Sequence, residues 1–210
     1  MTYQAWVSLI NDSSQAVGAG TVLNTATTAT ISPVTGAAAD VAQVSGASSP
    51  AGFDVGVVIR LRARGFLTTT ATSTTFTPFL AARVGNTGST YVTLATCNGI
   101  TTGTTVLTGI QWKLEAEITC TAIATSGNTL STQGEFSLLG LLATGTALAA
   151  NPQALTTGAS IGVAFPMPAA SGVTAAAVDT TQIQGLSMRA TLAGANATCQ
   201  LTQWFAEQLN

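Results

Sequence analysis

Two stretches of the chain alternate apolar and charged residues with a period of two. The first is Ile59-Arg60-Leu61-Arg62-Ala63-Arg64-Gly65 and the second Trp112-Lys113-Leu114-Glu115-Ala116-Glu117-Ile118. Successive side chains of an extended strand point to opposite faces, so each stretch predicts a strand with one apolar and one charged face. Elsewhere Thr, Val and Ile crowd into short runs punctuated by Gly, Asn, Ser or Pro, which is the pattern of many short strands. Strands are predicted near residues 4–10, 20–31, 55–67, 75–84, 90–97, 104–120, 129–138, 160–165, 181–192 and 197–208.

Residues 33–50, 139–157 and 166–178 read as long connections, and the alanine-rich run at 143–150 as a short helix stopped by Asn151-Pro152. Long connections at irregular intervals disfavour a simple meander. The predicted fold class is therefore all-β, a jelly-roll (Greek-key) β-sandwich with an N-terminal apolar arm or strand. Residues 1–15 form the arm or strand and 16–210 a single jelly-roll domain; no internal repeat stands out.

Composition changes the picture in one direction. Only 7% of the 210 residues are charged, six basic against eight acidic, and there is no histidine. Ordinary domains carry about 25% charge. A net charge of −2 fits neither a nucleic-acid binder nor an acidic tail. General-base, triad and zinc chemistry lean on imidazole, so an enzyme is not expected, nor any cofactor or metal. A mean hydropathy of +0.43 argues against disorder. Threonine hydroxyls wet a surface without charge, and so apolar a chain is expected to bury surface against copies of itself or a partner.

The N-terminus has no basic segment leading into an apolar core, so no secretory signal is expected and synthesis is expected in the cytoplasm. The apolar stretch at 138–150 is too short and too interrupted for a bilayer-spanning helix, so no membrane partner is expected.

The charged rows are the candidate site. Arg60, Arg62 and Arg64 share one face; Lys113, Glu115 and Glu117 share another; together they hold six of the fourteen charges. In neighbouring strands these rows would meet as cross-strand ion pairs or lie in a subunit interface. A polyanion or sugar-acid site on the arginine row, or a merely solvated charged face, are the alternatives. Trp6, Trp112 and Trp204 offer either sugar-stacking faces or core packing. Trp6, Val7, Leu9 and Ile10 form an apolar segment that either completes a sheet or docks as an arm on a neighbour.

Cys97, Cys120 and Cys199 match no zinc spacing and read as small buried thiols, a single disulfide being the alternative. Asp12, Asp54 and Asp179 stand beside turn residues, where a carboxylate bonds local amides. No nucleophile-elbow or phosphate-loop motif occurs.

The ordered series of segments resembles the trimeric, tumour-necrosis-factor-like jelly-roll virion proteins of tailed bacteriophages, which serve as capsid decoration, head-fibre or spike subunits. The resembling pieces are Thr21-Val22-Leu23-Asn24-Thr25 to Ile31-Ser32-Pro33, then Gly56 to Gly65, then Trp112 to Ile118. They continue with Gln133-Gly134-Glu135-Phe136, Val178-Asp179-Thr180-Thr181 and the closing strands to Asn210. The resemblance implies a homotrimer with the charged rows near or within subunit contacts, located in the virion, and it carries over no catalytic residue. The expected role is a capsid decoration subunit binding the major capsid protein. A receptor- or carbohydrate-binding tail or fibre protein, with a groove near the 86–90 loop, is the alternative.

Overall fold

A computed structural model describes residues 7–10, 21–23, 27–30, 42–44, 53–69, 74–84, 91–102, 108–139, 163–168, 174–182, 184–194 and 197–209. Its strands are, in chain order, β1 (Val7–Ile10), β2 (Thr21–Leu23), β3 (Thr27–Thr30), β4 (Ala42–Val44), β5 (Val58–Thr69), β6 (Thr74–Val84) and β7 (Val92–Thr96). They continue as β8 (Ile100–Thr102), β9 (Ile110–Cys120), β10 (Leu130–Leu139), β11 (Val163–Met167), β12 (Thr174–Ala176), β13 (Gln184–Gly194) and β14 (Ala197–Gln208). No helix occurs among the described residues.

The strands form two antiparallel sheets packed as a β-sandwich. The larger runs β1-β14-β5-β9-β10-β11, with β12 also on β10 and β2 also on β14. The smaller runs β3-β13-β6-β7, with β4 on β13 and β8 on β6. Sequence neighbours β5 and β6 lie in opposite sheets, as do β13 and β14, so the chain crosses between layers rather than meandering through one.

The alternating stretches behave as their period requires. In β5, Ile59, Leu61, Ala63 and Leu67 are buried, and in β9 Ile110, Trp112, Leu114, Ala116, Ile118 and Cys120 are buried. Opposing them from the smaller sheet are Phe76, Leu80, Leu94, Leu186, Met188 and Ala190 in the same apolar cluster. Phe136 of β10 bridges the layers: its ring lies 5.9 Å from Phe76 across the sandwich and 5.9 Å from the Trp112 indole beside it, nearly stacked on the latter. Trp112 is thus a core residue, and Trp204 packs against the same core. Trp6 lies outside the described residues.

Several expectations change in detail. Within the apolar N-terminal segment, residues 7–10 form an edge strand: Val7 pairs with Gln208, and Ile10 with Ala206, across β1 and β14. Leu9 lies at the irregularity between those pairings. β1 therefore forms an edge of the larger sheet. The single strand expected at 20–31 is two, β2 in the larger sheet and β3 in the smaller. Short strands β4, β8 and β12 occupy stretches without a strand signal, because three residues are too few to show a period. The helix expected at 143–150 lies outside the described residues.

Candidate functional site

The charged rows meet on the solvent face of the larger sheet. β5 and β9 are antiparallel neighbours, with Arg60 opposite Glu117, Arg62 opposite Glu115 and Arg64 opposite Lys113. The Arg60 guanidinium donates from Nε and Nη2 to Glu117 Oε1 at 3.1 and 2.7 Å. Arg62 Nε donates to Glu115 Oε1 at 2.7 Å, and Lys113 Nζ reaches Glu115 Oε2 at 2.5 Å. The cross-strand pairing read from the sequence is therefore made within one chain.

β14 extends the ladder on the other side of β5. Glu207 stands opposite Arg60, is almost wholly buried, and lies 3.5 Å from its Nη1. Nothing in the local pattern of the last strand singled out Glu207, because a β-bulge changes which residues face outward. Leu201 pairs with Gly65 but Gln203 pairs with Arg64, leaving Thr202 as the extra residue. Cys199 and Leu201 point to the core before the bulge, Ala206 after it. An inserted residue shifts the phase of every later side chain.

Two depressions flank the ladder. One, of about 550 Å³, is walled by Arg60, Arg62, Glu115 and Glu117 on one side and by Gln133, Glu135, Pro166 and Pro168 on the other. The second, of about 350 Å³, lies at the other end of β5 among Arg64, Phe66, Gln111, Lys113 and Thr202, with Gly65 and Trp112 beneath. Phe66 and Phe205 are each 37% exposed on this same face, Phe205 directly opposite Arg62.

The Lys113 ammonium, donating to Glu115 and supported by Arg62, holds the Glu115 carboxyl below its ordinary 4.5, against a smaller effect of burial. A carboxyl depressed in the folded state adds stability above its unfolded pKa, and this is lost as the pH falls through the folded value. Glu115→Gln is therefore expected to lower stability at neutral pH and to lose that difference in acid, measured by urea denaturation at pH 7 and pH 3. In a double-mutant cycle, Arg62 and Glu115 are expected to couple by about 0.2 to 1 kcal/mol, since both are partly exposed. Arg62 and Glu117, which do not pair, are expected to be additive; equal coupling for both combinations would show the ladder to be interchangeable charge.

Other polar groups are structural. Asp179 accepts from the Thr181 backbone N–H at 3.0 Å, the Thr181 hydroxyl at 2.6 Å and Gln182 Nε2 at 2.6 Å, as expected of a turn carboxylate. These donors, the Thr181 hydroxyl foremost, hold its carboxyl below the ordinary range. Asp54 lends its carbonyl to the Val57 N–H across the turn before β5, and Asp12 lies outside the described residues. The three cysteines are free and buried. Burial pushes the Cys97 thiol up to about 12 and raises Cys120 and Cys199 as well, leaving the thiolate of each disfavoured.

A feature not anticipated lies on the other sheet. Arg189 of β13 sits opposite Phe79 of β6, its guanidinium carbon 6.0 Å from that ring and 3.7 Å from the Tyr91 ring. Such stacking is a cation–π contact. The only trace in the sequence is an isolated arginine in a threonine- and alanine-rich strand.

Among the described residues no group of three or more His, Cys, Asp or Glu is placed to hold a metal ion, and no helix is long and apolar enough to cross a membrane. The 86–90 loop lies outside the described residues. No family model, curated protein or solved structure matches the chain.

Proposed function

We propose that this protein is a non-enzymatic structural subunit of a bacteriophage virion, a jelly-roll capsid decoration protein that assembles as a homotrimer and binds the major capsid protein. The observation that carries the assembly role is Phe205, a large aromatic ring left exposed directly opposite Arg62, within a ladder of fixed ion pairs. Exposed aromatics among arginines are the composition of protein interfaces. On the other side of Arg62, the 550 Å³ depression over β5, β9, β10 and β11 offers a recess for a partner's side chain. The phage context rests on the resemblance of the ordered segments, and the low charge agrees with a surface packed among other subunits. Many weak contacts on a lattice suffice, because avidity multiplies them.

The test is size-exclusion chromatography with light scattering, followed by co-sedimentation with capsids lacking the protein. A trimer that sediments with capsids is expected, and Phe205→Ser is expected to weaken that association without unfolding the chain. A monomer that leaves capsids unoccupied would overturn the reading. The alternative, a receptor- or carbohydrate-binding tail or fibre subunit, is favoured by the second depression, which combines Arg64 and Lys113 with the exposed Phe66 ring.

A further inference from the structure

The ladder breaks its own pattern at one rung. Arg60 and Arg62 each face a glutamate, whereas Arg64 faces Lys113. Like charges directly opposite one another destabilise a sheet, so this rung carries a cost that its neighbours do not. Lys113 leans toward Glu115, 2.5 Å away, and Glu115 also accepts from Arg62. Among the described residues no carboxylate forms an ion pair with Arg64, whose side chain is exposed.

The 350 Å³ depression opens at that rung. Two backbone features shape it. The bulge at Thr202 shifts the β5–β14 register beside Arg64, and the Thr202 hydroxyl donates to the Arg64 carbonyl at 3.0 Å, fixing the strand below the guanidinium. Gly65, on the inward face of β5 where a Cβ would meet the Gln200 carbonyl and the Trp112 indole, lets the strands approach closely beneath the depression. Bulges beside functional sites commonly re-aim side chains in this way.

We infer that this depression binds a compact oxyanion, a carboxylate or phosphate group carried on a sugar-sized polar body. A guanidinium presents a planar fork of donors matched to either group, and Lys113 adds a second cation at the opposite wall. The exposed Phe66 ring supplies a flat apolar wall for the C–H face of the attached ring. The volume lies near the lower end for small-ligand sites, which selects a single sugar unit over a long chain. The inference does not depend on trimer formation or capsid binding.

The experiment is an NMR titration of the folded protein, following the Arg64 Nε–H and Trp112 indole N–H signals at low ionic strength. The probes are glucuronate, glucose 6-phosphate, inorganic phosphate and glucose at millimolar concentration. Saturable shifts with glucuronate alone identify the ligand group as carboxylate, and shifts with the phosphate probes alone identify it as phosphate; both together support a general oxyanion site. Arg64→Gln, an exposed change expected to keep the wild-type melting temperature, is expected to weaken binding at least about tenfold. Lys113→Gln is expected to weaken it less. Absence of shifts with every acidic probe, shifts matched by glucose, or binding unchanged in Arg64→Gln would each overturn the assignment.

Discussion

Gly65→Ala is expected to destabilise the protein by about 3 kcal/mol or more, and to leave it largely unfolded at moderate urea concentrations where the wild type is native. A Cβ at this position would lie 1.7 Å from the Gln200 carbonyl oxygen and 2.7 Å from Cζ2 of Trp112. The first obstruction is backbone of the adjacent strand, so relief requires β5 and β14 to separate where they are hydrogen-bonded. The second is the buried indole, which is packed against Phe136 and has little room to retreat. Shrinking the ring by Trp112→Phe in the Gly65→Ala background is therefore expected to restore little, because the carbonyl remains. Urea denaturation followed by tryptophan fluorescence decides it; a change under about 0.5 kcal/mol would show that the two strands yield more easily than their register implies.

Phe136→Ala is expected to cost about 3 to 5 kcal/mol, a lowering of the melting temperature on the order of 10 °C. The ring is fully buried and touches Phe76 of the opposite sheet and Trp112 of its own. Its removal leaves a cavity at the seam between layers, where two separately hydrogen-bonded sheets cannot easily close the gap. Phe136→Leu, which refills most of the volume, is expected to recover a large part of the loss. If alanine and leucine proved equally damaging, aromatic geometry rather than filled volume would be the determinant.

The charged half of the candidate site was legible in the sequence because its signal is local. Arg60, Arg62 and Arg64 fall on one face by strand period alone, as do Lys113, Glu115 and Glu117, and both rows lie where that period places them. Glu207 was not legible, since the Thr202 bulge switches the faces of β14 and a glutamate near a terminus carries no mark of burial. Arg189 was missed for a related reason: its rings come from Phe79 and Tyr91, about a hundred positions earlier in the chain.

Strand period and composition by themselves determined an all-β chain, the two alternating strands, the core side of each and the poverty of histidine-based chemistry. They left open which arginine meets which glutamate. Arg60 and Glu117 are 57 residues apart and Arg62 and Glu115 are 53 apart, and a register over such distances is set by how two whole apolar faces interlock. Only the tertiary structure decided that the third rung sets Arg64 against Lys113, that a bulge and a depression lie beside it, and that residues 7–10 add an edge strand to the larger sheet. Alternation is a property of one strand, whereas register, bulges and close approach are properties of pairs.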